Sequence, residues 1–147
     1  MKFFLLALKA MFVANHTTDS LDTIKKRLAS KEAVLIDVRE PKEWEDGHLE
    51  AAKLVPLSDI RDSQKRKVAT KDLSKTETIY CHCRSGKRVL IATDYLTEDG
   101  YDIRPLKEGY KDLLSAGFEQ AKLEQPEVIA ASPAGEPGQV ILNGNRP

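Results

Sequence analysis

The chain has 147 residues, enough for one compact domain with a real core and too few for two ordinary domains. Its 23 lysine and arginine residues equal its 23 aspartate and glutamate residues, so no overall field favours nucleic acid or an anionic membrane as a partner. The two cysteines, Cys81 and Cys83, are too close in sequence for an unstrained disulfide, which excludes a disulfide scaffold and leaves thiol or metal chemistry open.

The N-terminal segment, residues 1–16, begins with a lysine after the initiator and continues as an apolar stretch from Phe3 to Ala14. A charged start followed by an apolar stretch is typical of a secretory signal peptide, and this stretch is too short to form a stable membrane span. Lys9 interrupts the stretch, and Phe12 stands where a cleavage site prefers a small residue, so an N-terminal amphipathic helix is the alternative. By a small margin the sequence favours a periplasmic or exported protein over a cytoplasmic one.

Residues 17–125 alternate between helical and strand-like patterns and form the predicted domain. Helical spacing and caps predict helices at Leu21 to Leu28, Pro41 to Gly47, Ser58 to Ala69, Lys87 to Leu96 and Tyr110 to Ala116. Apolar, β-branched runs predict strands at Ala33 to Val38, Ala52 to Val55, Thr78 to Cys81 and Tyr101 to Arg104. Such alternation predicts an α/β fold in three layers, α/β/α, with a mainly parallel sheet whose ligand lies beyond the carboxyl ends of its strands.

Residues 126–147 are rich in proline and glycine and poor in large apolar side chains. This composition predicts a disordered tail, because too little apolar surface is present to offset the entropy lost on ordering. A short strand at Gln139 to Leu142 is compatible with the sequence, but nothing requires it.

The loop from Cys83 to Arg88 joins the third predicted strand to a helix. Its backbone N–H groups can converge on one point at the positive end of the helix dipole, and Gly86 lets the backbone bend there. Arg84, Lys87 and Arg88 add positive charge, which favours the thiolate of Cys83 and attracts a doubly charged anion. Sulfur transfer from thiosulfate needs a nucleophilic sulfur in such a cradle, and the same N–H groups would stabilise a persulfide.

Two other interpretations of this loop remain. The cysteine and the basic residues can be incidental on an ordinary strand–loop–helix turn. A phosphatase also uses a cysteine in an anion-binding loop, but that loop needs a Cys-x5-Arg spacing to encircle phosphate. The sixth residue after Cys83 is Val89, and the sixth after Cys81 is Lys87, so the spacing disfavours a phosphatase.

Three motifs resemble the single-domain rhodaneses over roughly Leu21 to Phe118. The first is Leu35-Ile-Asp37-Val-Arg39-Glu40-Pro-Lys-Glu43-Trp44 with Gly47-His48-Leu49, Ala52 and Pro56. The second is Ile79-Tyr-Cys-His-Cys83-Arg84-Ser85-Gly86-Lys87-Arg88, and the third, a weaker one, is Leu106-Lys-Glu-Gly109-Tyr110 through Gly117. The chain departs from the family pattern at Ala51, Glu108 and Leu113, where glycine, glycine and tryptophan are common.

The resemblance implies a five-stranded, mainly parallel sheet between helices. It also implies an enzyme without a cofactor that moves sulfane sulfur through a cysteine persulfide, from thiosulfate or a similar donor to cyanide or a thiol. Cys83 then matches the nucleophile, and the substrate loop consists of Arg84, Ser85, Gly86, Lys87 and Arg88. The alternative is a sulfur carrier or redox-sensing module that uses the same loop to dock a protein without turnover.

Asp37 and Arg39 end the first predicted strand at the same sheet edge. They are expected to frame the active loop, or else to form a buried ion pair without a catalytic part. His48 is expected to make a structural hydrogen bond, with a general base as the alternative.

Cys81 is expected to lie in the core as a small apolar residue, with reversible oxidation against Cys83 as the alternative. The cluster of Cys81, His82 and Cys83 has the wrong spacing for a structural zinc site, so no metal is predicted.

Overall fold

The computed structural model describes residues 14–123. Most of the predicted N-terminal leader and the whole predicted tail, including the strand suggested at Gln139 to Leu142, lie outside this range. Within it, none of the helices has the length and apolar character that a membrane crossing requires.

The chain alternates between helices and strands as predicted. The strands are β1 (Ala33–Asp37), β2 (Ala52–Leu54), β3 (Thr78–His82) and β4 (Asp102–Pro105). The helices are α1 (Leu21–Ala29), α2 (Pro41–Asp46), α3 (Leu57–Arg61), α4 (Ser63–Ala69), α5 (Arg88–Glu98) and α6 (Tyr110–Ser115). All the strands predicted from the residues are therefore found, within one or two residues of the predicted bounds.

The helix predicted from Ser58 to Ala69 is wrong in one respect, because it is split in two. Asp62 adopts an extended conformation (φ −96°, ψ 120°) that ends α3. Its carboxylate then accepts the N–H groups of Gln64 and Lys65, both at 3.0 Å, and so caps α4. The aspartate thus serves as a stop for one helix and as the N-cap of the next.

The sheet is parallel throughout, in the order β2-β1-β3-β4. Side chains alternate between its faces: Leu35 and Tyr80 pack with α1 and α6, whereas Ile36 and Ile79 pack with α3 and α5. Both faces are buried, which explains why β1 and β3 are continuous apolar runs. The prediction of a three-layer α/β/α fold is confirmed.

The fifth strand implied by the family resemblance is not present in residues 14–123. The segment before α1 approaches β4 there through one backbone hydrogen bond, from Thr17 N–H to the Pro105 carbonyl at 2.7 Å. One bond does not make a strand ladder, and the proline removes a donor at that end of β4.

The strand order fixes where a ligand can bind. From β1 the chain moves outward to β2 and then crosses back to β3, so the direction of winding changes between β1 and β3. The last paired residues of these two strands are Asp37 and His82. Crevices at such a change of direction are the usual ligand sites of open α/β sheets, and Cys83 follows directly after His82.

Candidate active site

The loop between β3 and α5 folds back on the thiol of Cys83. The N–H of Gly86 donates a hydrogen bond to Cys83 Sγ at 3.1 Å. Gly86 has φ +82°, and a Cβ there would lie 2.6 Å from the carbonyl oxygen of Lys107. Glycine is therefore required at this position for two reasons, the left-handed backbone and the close approach of the next loop.

The loop between β4 and α6 packs directly on the Cys83 loop. A Cβ on Gly109 would lie 1.8 Å from the carbonyl oxygen of Arg84, a distance that no side chain can occupy. The N–H of Tyr110 donates to the Cys83 carbonyl at 3.0 Å, and the N–H of Leu106 donates to the Cys81 carbonyl at 2.8 Å. Residues around Gly109 thus hold the backbone beneath Cys83, a role that the sequence reasoning missed although the third motif contained the glycine.

The basic residues of the loop fall into two groups. Arg84 and Lys87 are exposed, as is Ser85, and no ion pair involves them within residues 14–123. Arg88 instead donates to both carboxylate oxygens of Glu43 on α2, at 2.6 and 2.9 Å. The predicted role of Arg88 as a substrate ligand stays a prediction, and its guanidinium already has a carboxylate partner.

This ion pair shifts the pKa values of both Glu43 and Arg88. The hydrogen bonds from Arg88 lower the pKa of Glu43 from 4.5 to about 2. The same contact raises the pKa of Arg88, and the nearby Cys83 adds to the rise. The first residue of α5 is therefore fixed to α2, and the pair anchors the C-terminal end of the loop.

Asp37 and Arg39 form a buried ion pair at the carboxyl end of β1. The Asp37 carboxylate accepts the backbone N–H of Arg39 at 2.9 Å and its guanidinium at 2.8–3.1 Å. Arg39 also donates to the Gly47 carbonyl at 2.8 Å and lies 4.2 Å from the ring centre of Tyr110. None of the contacts of this pair reaches Cys83 itself, so its framing role remains a prediction.

His82, the last residue of β3, is buried and pairs in register with Asp37 of β1; the sequence predicted no role for it beyond that of a disfavoured metal ligand. Its Nε2 lies 3.5 Å from Asp37 Oδ2, too long for a good hydrogen bond, and has no hydrogen-bond partner within residues 14–123. Burial lowers the pKa of His82, and the charge of Asp37 opposes this shift. The lowered pKa favours the neutral form of this buried imidazole.

Cys81 lies in the core, as predicted. It is fully buried in the cluster that contains Ile79 and Ala92, and both cysteines are free thiols. Burial, and after it the charge of Cys83, raises the pKa of Cys81 well above its ordinary value. A thiol that stays protonated is a poor nucleophile.

His48 has the structural role expected of it. Its Nδ1 donates to the Trp44 carbonyl at 2.9 Å, and its ring stacks on that of Trp44 with the centres 3.6 Å apart. In the part of the chain that the structure describes, no cluster of three or more His, Cys, Asp or Glu side chains is placed to hold a metal ion.

Comparison with known proteins finds similar sequences and similar folds. The family model described as rhodanese-like domain matches residues 20–116. The chain is 35% identical to the putative mitochondrial thiosulfate sulfurtransferase of Schizosaccharomyces pombe, over 52% of this chain and 59% of that protein. It is 31% identical to the thiosulfate sulfurtransferase PspE of Escherichia coli, over 53% of this chain and 71% of that protein.

The fold is also similar to solved structures. The human single-domain sulfurtransferase TSTD1 matches with a TM-score of 0.58 and 25% identity, over 69% of this chain and 97% of that chain. The chain spans less than two thirds of the length of the Schizosaccharomyces pombe relative, of which 59% is covered.

Proposed function

Because this chain belongs to the rhodanese-like family, we propose that it is a sulfurtransferase that carries sulfane sulfur as a persulfide on Cys83. The donor is thiosulfate or a similar anion, and the acceptor is cyanide or a thiol. The observation that carries the proposal is the hydrogen bond from Gly86 N–H to Cys83 Sγ at 3.1 Å, inside a loop with exposed cations. Relatives named thiosulfate sulfurtransferases support it.

The reaction has two displacement steps. The Cys83 thiolate attacks the outer sulfur of thiosulfate, a new S–S bond forms, and sulfite leaves with the electron pair of the old one. Cyanide then attacks the outer sulfur of the persulfide, thiocyanate leaves, and the Cys83 thiolate returns. Neither step needs a cofactor, because each nucleophile supplies the electron pair of the bond that forms and each leaving group takes the pair of the bond that breaks.

The surroundings of Cys83 favour the anionic species in both steps. The Gly86 N–H stabilises negative charge on Sγ, and the loop leads into the N-terminus of α5, whose dipole favours anions. Arg84 and Lys87 are exposed and attract a doubly charged donor to the loop. Cys81 takes no part, because its thiol is in the core and protonated.

A second candidate function uses the same loop. Cys83 is fully buried, whereas Arg84, Ser85 and Lys87 form an exposed rim above it. Such a rim suits a protein partner that docks on the loop and accepts sulfur directly. The protein would then be a sulfur carrier or redox-sensing module with slow turnover of small substrates.

Intact mass spectrometry after thiosulfate treatment tests the proposal. We expect wild type and the matched control Cys81→Ala to gain the mass of one sulfur atom, and Cys83→Ser to gain none. No gain on wild type, or a gain that persists in Cys83→Ser, would contradict a Cys83 persulfide. Steady production of thiocyanate from cyanide then supports the enzyme, whereas a stable persulfide without turnover supports the carrier.

A further inference from the structure

The segment before α1 crosses the edge of the sheet and reaches the Cys83 loop. We call residues 14–19 the N-terminal strap. Thr17 N–H donates to the Pro105 carbonyl at 2.7 Å. The Asp19 carboxylate accepts hydrogen bonds at 2.7, 3.2 and 3.2 Å from the side chains of Tyr80, Arg27 and Arg104. The strap is therefore anchored on β3, β4 and α1, independently of the loop.

His16, one residue before Thr17, makes the contact between the strap and the loop. Its Nε2 lies 2.6 Å from the carbonyl oxygen of Gly86, 70 residues away in sequence. A carbonyl oxygen only accepts, so Nε2 carries the proton and donates it. Gly86 is thus bonded on two sides, its carbonyl to His16 and its N–H to Cys83 Sγ.

We infer that His16 is a positioning residue for the Cys83 loop, acting through the Gly86 carbonyl; this inference rests on the proposed function. Gly86 has φ +82° and no side chain, so its flanking peptide groups lack the steric limits that hold other residues. A trans peptide places its C=O and N–H on opposite sides. Anchoring the Gly86 carbonyl therefore fixes the direction of the Lys87 N–H and steadies the Gly86 N–H on Sγ.

The hydrogen bond from His16 to Gly86 is expected to affect the rate of sulfur transfer more than the binding of the donor. His16 makes no described contact with Cys83 Sγ, so it acts neither as a base nor as a ligand of the sulfur. The persulfide moves the negative charge outward by one S–S bond, about 2 Å. N–H groups held in advance stabilise that charge without reorganising, whereas a loop free to turn must first be ordered.

Three variants test this inference. His16→Ala removes the donor, His16→Gln places a side-chain N–H at a similar reach, and Asn15→Ala changes an exposed neighbour as the control. For His16→Ala we expect kcat for sulfur transfer to fall about tenfold, the size of one lost hydrogen bond, with KM for thiosulfate changed less than about twofold. His16→Gln should restore most of kcat, and Asn15→Ala should match wild type.

Wild-type kcat in His16→Ala would overturn the inference, as would a loss in His16→Gln as large as in His16→Ala. If His16→Ala does not fold, kcat of His16→Gln is compared with kcat of wild type. A large loss of kcat in His16→Gln would then contradict the inference. Amide hydrogen exchange of Gly86, measured by NMR, needs no turnover: we expect it to be faster in His16→Ala and unchanged in Asn15→Ala. Absence of a persulfide on wild type would end the proposed function, whereas unchanged Gly86 exchange would end this inference alone.

Discussion

Arg88, the first residue of α5, donates to both carboxylate oxygens of Glu43 on α2, at 2.6 and 2.9 Å. The two residues come from different motifs, 45 positions apart. The pair fixes the end of the Cys83 loop to a helix that follows β1. Loop geometry therefore depends on α2 as well as on the loop sequence.

Glu43→Gln should reduce the free energy of unfolding by about 1 kcal/mol at neutral pH, because the pair is partly exposed and solvent screens it. The pKa of Glu43 in the folded protein is about 2, below its ordinary 4.5, so the stabilisation is present above 4.5 and is lost as pH falls towards 2. Urea denaturation over this pH range should show that the difference in unfolding free energy between wild type and Glu43→Gln shrinks as pH falls. Glu50→Gln, which changes an exposed residue and serves as the control, should unfold with the same free energy as wild type over this pH range.

Gly109→Ala should damage the site through overlap alone. The new Cβ would lie 1.8 Å from the carbonyl oxygen of Arg84. This oxygen belongs to the main chain, which cannot rotate away from the overlap as a flexible side chain can. We expect a loss of about 2–3 kcal/mol in stability, together with a large loss of sulfur transfer. Gly100→Ala is the matched control, because φ is +98° there but the nearest atoms belong to the side chain of Lys75 at 3.7 Å. It should cost about 1–2 kcal/mol and leave kcat unchanged; equal kcat losses in both variants would contradict this account.

Arg84→Ala combined with Lys87→Ala should weaken donor binding. These exposed cations contribute long-range attraction, so we expect KM for thiosulfate to rise about tenfold, kcat to change less, and the effect to shrink with added salt. Lys67→Ala on α4 is the control for loss of positive charge. A change in kcat alone, without one in KM, would show that the two cations act after binding.

Cys81→Ala should leave sulfur transfer intact and cost about 1 kcal/mol in stability, because a small buried group is lost. Cys81→Ser should cost more, since its hydroxyl would be buried in an apolar cluster. Burial raises the pKa of Cys81, so disulfide formation with Cys83 should be slow at neutral pH. If peroxide inactivates wild type reversibly and Cys81→Ala irreversibly, the redox role is the correct one.

Sequence patterns predicted β1 and β3 well because these two strands are buried on both faces of the sheet and an apolar run is a local property. The run from Ala33 to Asp37 and the run from Thr78 to His82 needed no knowledge of their neighbours. The sequence did not predict the break between α3 and α4 at Asp62, because the residues on both sides are helical and only this one residue has an extended backbone. The fifth strand, which is not present in residues 14–123, was implied by the family resemblance and not by a residue pattern of this chain.

The sequence by itself determined the layered α/β fold, the position of the loop at a strand end, and Cys83 as the candidate nucleophile. Each of these follows from side-chain type and spacing within a few residues. Only the tertiary structure decided that Arg88 is paired with Glu43, that Gly109 packs on Arg84, and that His16 reaches Gly86. These contacts join residues far apart in the chain, and their distances are set by the packing of whole elements, which no local pattern encodes.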